Sequence, residues 1–227
     1  MPKKRHLPRG LDIIYEDDDI LVVDKPAGLL TIATDNNKTR TAYYMLTDYV
    51  RRGQAKSRTR LFIVHRLDQS TSGVLVFAKN EEAKFRLQSQ WKDTQKKYIA
   101  VVYGRLNKKE DVIISYLAES KAYVVYSTTD TTRGKLAQTA YKVLKESSRF
   151  SLLEINLLTG RKNQIRVHLA NKGHPVVGDR KYGKPKDAFR RVALHSKSIS
   201  FKHPVSGRQM TFETKVPNYF NDLVDNG

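Results

Sequence analysis

"LFIVHRLDQSTSGVLVFAK", residues 61–79, sets a polar loop between two apolar runs rich in β-branched and aromatic residues. LFIV and VLVFAK read as strands, and the stretch between them, residues 65–73, is shorter than the dozen or so residues that a parallel crossover needs. The two strands are therefore antiparallel, and the loop hangs at a strand end. Runs of the same kind recur along the chain: LDIIY, ILVVD, KYIAVVYG, DVIISYLA, AYVVYS, AQTAYKVL, FSLLEINLL, SISFKH and MTFET. Most of their connections are equally short, which predicts a mixed, mostly antiparallel β-sheet with flanking helices, an α+β fold.

Four helices are expected. TAYYMLTDYVRR places Ala42, Tyr43, Leu46, Tyr49 and Val50 at helical spacing. NEEAKFRLQSQWKD opens on Asn80 as N-cap with Glu81 and Glu82 in its first turn. A third helix runs through NQIRVHLANKG and stops at Gly173, and a fourth follows Pro217 in PNYFNDLV.

The charge sets the partner class. Lys and Arg number 42 against 23 Asp and Glu, a net charge of +19 on 227 residues, which points to a polyanion. No apolar run approaches the roughly 20 residues of a spanning helix, so nucleic acid rather than membrane is the expected partner. The start, MPKKRHLPRG, leads into LDIIYEDDDI rather than an apolar signal core, so the protein is expected in the cytoplasm. There is no cysteine and the six histidines are scattered, so no metal site and no cofactor are expected. Residues 1–10 read as a basic tail and 11–227 as a single domain with room for two lobes; RRGQAKSRTR, 51–60, reads as a mobile basic loop or a phosphate contact.

Within HRLDQSTSG, Asp68 is an acid kept in basic surroundings. Taken alone, the loop fits an Asx-type turn as well as a catalytic carboxylate. A second segment, LLTGRKNQIRVHLANKGHPVVGDRKYG at 157–183, packs glycines with Arg161, Lys162 and Arg166. These cations suit phosphate or a carboxylate, or simply an exposed surface.

HRLDQSTSG resembles the catalytic motif of the RluA-type RNA pseudouridine synthases, in which H-R-L-D precedes a hydroxyl-rich stretch ending T-S-G. DKPAGLL at 24–30, KKYIAVVYG at 96–104, TGRKNQIRVHLANKGHPVVGD and LHSKSISFKHPVSGRQMTFETKVP are similar to the family's other segments, in the same order. The resemblance implies that Asp68 is the catalytic carboxylate, that Tyr98 lies against the target uracil, that Arg166 pairs with Asp68 and that Arg66 helps hold the RNA. His65 is expected to pack or to hydrogen-bond nearby groups.

The chemistry suits these residue types. Isomerising uridine to pseudouridine breaks the bond from N1 to C1′ and joins C5 to C1′, with no redox change. A carboxylate in an apolar pocket resists ionising, and a nearby arginine opposes that. A stacked uridine must be flipped out, and an aromatic ring can receive it. The remaining cations, Arg40, Arg51, Arg52, Arg58 and Arg60 before the loop and Arg161, Lys162, Lys172, Arg180, Lys181, Lys184, Arg190 and Arg191 after it, are candidates to grip the phosphates of an RNA stem-loop in rRNA or tRNA, with affinity falling steeply with salt. The chain is expected to act as a monomer.

Two positions depart from the family pattern: Asn163 stands where histidine is usual, and Arg208 where an acid usually follows HPVSG. The N-terminal S4-type module of many relatives is also missing from this sequence. The rival from another class is a non-catalytic RNA-binding or ribosome-assembly protein on the same fold. A nucleoside or glycoside hydrolase would want a second acid to activate water, and HRLDQSTSG has none.

Overall fold

Each of the eleven runs named above contributes one strand of the computed structural model, which describes residues 10–34, 38–52, 54, 56–184 and 188–227. The basic N-terminal tail expected at residues 1–10 lies outside the described residues except for Gly10. The chain divides into two compact units, Met1–Thr94 with Ser198–Thr214, and Gln95–Lys197 with Lys215–Gly227.

The first unit holds β1 (Asp12–Glu16), β2 (Ile20–Lys25), α1 (Ala42–Val50), β3 (Phe62–Ile63), β4 (Ser72–Ala78) and α2 (Glu81–Ser89). β2 pairs antiparallel with β1 and β4, and β3 with β4. β2 and β4 read as continuous apolar runs because residues on both of their faces are buried. The helix starts follow from the caps: the Thr41 hydroxyl accepts from Tyr44 N–H, and the Asn80 side-chain oxygen Oδ1 from Ala83 N–H. β10 (Leu194–Lys202) begins in the second unit and ends in the first, where it pairs with β11 (Gln209–Glu213). Ile199, Phe201 and Phe212 thereby join Ile20, Val22, Val74 and Val76 in one core.

The second unit holds β5 (Gln95–Tyr103), β6 (Glu110–Glu119), β7 (Val125–Thr128), β8 (Lys135–Glu146), β9 (Phe150–Leu157), α3 (Gln164–Asn171) and α4 (Tyr219–Asp225). Its antiparallel ladder runs β5, β9, β8, β6, β7. α3 packs on β6, β7 and β8, burying Val167 with Leu117, Val125 and Ala137, and Gly173 at φ 82° ends the helix.

AYVVYS is a strand only from Val125 onward. The residues before it form a tight hairpin turn in which Tyr123 N–H donates to Ser120 C=O and Ser120 N–H to Val124 C=O, both at 2.9 Å. That is a three-residue loop whose last position must be left-handed, and Tyr123 takes it at φ 59°. A bulky side chain there costs about 1–2 kcal/mol, whereas glycine or asparagine is tolerated.

Candidate active site

The Asp68 loop is clamped on both sides of the carboxylate. Before it, Leu67 is bound twice by Thr31, whose hydroxyl accepts from Leu67 N–H at 3.2 Å and donates to Leu67 C=O at 2.8 Å. After it, Gln69 C=O accepts from Gly28 N–H at 2.8 Å, and the Gln69 amide donates back to Gly28 C=O at 3.1 Å. Thr71 N–H donates to Asp68 C=O, closing a turn. With both neighbours fixed, the half-buried Asp68 side chain projects from a rigid backbone.

Beneath the loop lies a cation that the sequence did not advertise. Lys25 ends β2 fully buried, and its Nζ donates to the carbonyls of Pro26 at 2.9 Å, Leu29 at 2.8 Å and Gln69 at 3.4 Å. Burial lowers its pKa to about 8, against the opposing charges of Asp68 and Asp24. A lysine is read as surface by default, so composition hides it. Beside this turn a cavity of about 460 Å³ is lined by Gly28, Leu29, Arg40, Met45 and Gln69 among others.

His65 is structural: its Nε2 accepts from Val76 N–H at 3.0 Å and its ring lies 4.8 Å from that of Trp91. Arg66 is exposed. Arg51 closes the base of the 51–60 loop by donating from Nε to Thr59 C=O at 2.8 Å, while Arg60 meets Glu81 at 3.2 Å and lies over the Phe62 ring. Arg40, Arg52 and Arg58 are exposed.

One histidine sits in an acidic group of the first unit. His203 lies 2.9 Å from Asp17 and 4.0 Å from Asp19. Its Nδ1 accepts from Val205 and Ser206 N–H, so the proton sits on Nε2 and is donated to Asp17. Asp17 also accepts from Tyr15 OH and from Asp19 and Ile20 N–H. These bonds make the trio a tie between two turns of the first unit.

In the second unit Tyr98 is buried on β5, opposite Ile155 of β9. Arg166 is not the surface arginine that composition favours; its side chain is 9% exposed. It donates from Nε and Nη2 to Asp179 at 2.7 and 2.8 Å, and from Nη1 to Asn163 at 3.1 Å. Asp179 in turn accepts from Lys181 and Tyr182 N–H. Burial alone would push the Asp179 carboxyl up, but Arg166 and these amides outweigh it and hold it below the usual range. Asp68 lies in the first unit and Tyr98 and Arg166 in the second.

Asn163 has its own reason to be asparagine. It caps α3 at φ 54°, a left-handed backbone that asparagine tolerates, and its amide nitrogen donates to Tyr182 Oη at 2.8 Å while its oxygen accepts from Arg166. The Tyr182 oxygen also accepts from Val125 N–H, and its ring lies 5.1 Å from the Arg166 guanidinium. Nearby, His168 of α3 is buried and pushed down to about 4, with its ring between Ser115 and Thr139. Arg208 is exposed in the turn after β10.

The family model of RNA pseudouridylate synthase matches residues 19–171, which take in the Asp68 loop, Tyr98 and Arg166. The chain belongs to the RNA pseudouridylate synthase family. An uncharacterised RNA pseudouridine synthase of Bacillus subtilis, YlyB, is 37% identical over 96% of this chain and 73% of its own length. The ribosomal large subunit pseudouridine synthase D of Nitrosomonas europaea is 36% identical over 92% of this chain and 62% of its own length. Such similarity places this pseudouridylate synthase in the RluA-type branch, a group of isomerases that act on RNA. Among solved structures, human RNA pseudouridylate synthase domain containing 1 shares 26% identity at a TM-score of 0.72, covering 95% of this chain and 86% of that one. The human domain containing 4 protein reaches a TM-score of 0.77 at 21% identity and shares the fold.

The other basic residues of this synthase lie at its surface with partners of their own. Arg161 donates to Leu136 C=O at 3.1 Å, Lys172 meets Asp111 at 3.5 Å, and Lys162 pairs with Glu119. Lys181 donates to Tyr123 C=O at 3.1 Å, and Arg180 is exposed. No helix among the described residues is long and apolar enough to cross a membrane.

Proposed function

We propose that this synthase converts specific uridines of structured RNA, ribosomal or transfer, to pseudouridine, with Asp68 as the catalytic carboxylate. The reading is supported above all by the loop itself. Its neighbours Leu67 and Gln69 are both held by two-way hydrogen bonds, so the side chain between them is set without help from substrate. The target uridine is flipped out of its stack so that C1′ and C5 become reachable. The resemblance adds Tyr98 as the ring for the uracil and Arg166 as the cation that keeps Asp68 ionised. The carboxylate assists departure of N1 from C1′, the base turns, C5 bonds to C1′, the C5 proton is lost and N1 gains one.

RNA carrying tritium at uridine C5 tests this directly, because C5 must lose its hydrogen. Total RNA from cells lacking the gene is the substrate, and pseudouridine mapping of the treated RNA names the site. Wild type releases tritium and Asp68→Asn releases none above background. A wild-type protein that releases nothing from any cellular RNA, or an Asp68→Asn protein as active as wild type, sinks the assignment.

A further inference from the structure

The most exposed tyrosine of the described residues sits where a tyrosine fits worst. Tyr123 is 73% exposed at the tip of the β6–β7 hairpin, in the left-handed position that three-residue loops give to glycine. Its ring neither fills the core nor relieves the turn. The Lys162 ammonium lies 5.4 Å from the ring centre, but an exposed cation–π contact is weaker than the backbone penalty it would have to offset. A side chain kept at a cost to the fold is a reason to look for a ligand.

The surroundings indicate which. Lys121 lies in the hairpin loop and Lys135 opposite Leu117 of β6, both exposed; Lys162, which pairs with Glu119, lies beside the ring, and Lys181 donates to the Tyr123 carbonyl. An aromatic face among lysines matches a nucleic acid base with its adjoining phosphates. The hairpin is also joined to Arg166: Val125 N–H donates to Tyr182 Oη, which Asn163 also donates to, and Asn163 accepts from Arg166.

We propose that Tyr123 is a stacking platform for an unpaired base of the bound RNA, with Lys162 and Lys181 taking the phosphates beside it. It rests on the family reading only for the class of ligand. Unpaired bases offer the π-face that a paired, stacked helix hides, so the platform discriminates loops from duplex.

The test measures binding rather than catalysis. The full chain is titrated, by fluorescence anisotropy, into a labelled RNA stem-loop with an unpaired uridine-rich loop and into the same stem closed as a blunt duplex. Tyr123→Asn suits the left-handed turn, so the variant folds and melts no lower than wild type. It is expected to bind the stem-loop about ten-fold more weakly and the duplex nearly as wild type does, while Tyr123→Trp keeps the preference. Lys162→Gln is expected to weaken both RNAs and to reduce the salt slope by about one. The proposal is overturned if Tyr123→Asn binds both RNAs as wild type does, as it would were the tyrosine a contact for a protein, or loses affinity for both equally. It is also overturned if wild type shows no preference for the stem-loop. A wild type that binds with this preference yet releases no tritium overturns the catalytic assignment alone.

Discussion

Raising the pH should stabilise this protein through Lys25, in a way that a methionine at the same position abolishes. The ammonium is fully buried and bound by three carbonyls, and burial brings its pKa from 10.5 to about 8. That gap corresponds to about 3 kcal/mol that the fold gives up to hold Lys25 charged at neutral pH. Because the folded pKa lies below the unfolded one, the penalty is fully present below about pH 8 and is relieved as the pH climbs towards 10.5, where the unfolded chain still holds its proton. The difference in unfolding free energy, wild type minus Lys25→Met, should therefore rise by about 1.4 kcal/mol per pH unit across that window. At neutral pH the variant leaves the Pro26 and Leu29 carbonyls without this donor, while Gln69 C=O keeps Gly28 N–H; the loss, about 1–3 kcal/mol for each carbonyl, is partly offset by the vanished charge burial. Urea unfolding followed by Trp91, the single tryptophan and a residue of the same unit, reads both proteins at each pH. A difference that stays flat from neutral to about pH 10 would refute the assignment of a buried, charge-depressed Lys25.

Asp179→Asn should cost about 3–5 kcal/mol of second-unit stability and lower turnover, because it leaves the buried Arg166 guanidinium facing an amide. Asp179→Glu, which keeps the charge, should recover part of both, and an Asp179→Asn protein as stable and active as wild type would show the clamp to be incidental. Acid should destabilise the fold through His168: its folded pKa of about 4 lies below the ordinary 6.5, so stability present above pH 6.5 drains away as the pH falls towards 4. The loss reaches about 3 kcal/mol, and His168→Gln should remove that part of the acid limb in denaturant titrations.

Much of the fold was written locally. Apolar runs, alternating or continuous, give all eleven strands of the described residues, and Asn80 gives a helix start that its side-chain cap reproduces. AYVVYS misled at its first residues because β propensity says nothing of which position a turn forces left-handed. Room for two lobes was expected, but the boundary between the two units was not legible, because β10 serves both and leaves no linker to read. Asp179 is legible by the same oddity as Asp68, being the single acid in residues 157–183. Lys25 and the Asp17–His203 tie were beyond local reading: a buried lysine looks like a solvated one, and the tie joins residues 186 apart.

That distance carries a consequence for how the chain is made. Residues 10–94 leave the ribosome before residues 95–227, yet their core lacks Ile199, Phe201 and Phe212, and the turn at Asp17 lacks His203. The early segment must therefore wait with Val74, Val76 and their neighbours incompletely covered while about a hundred further residues are synthesised. Residues 95–197 can meanwhile assemble their own ladder from neighbouring strands, a low-cost sequence of short closures. The order of birth and the order of completion are thus reversed, and the vulnerable interval belongs to the half of the molecule that carries Asp68.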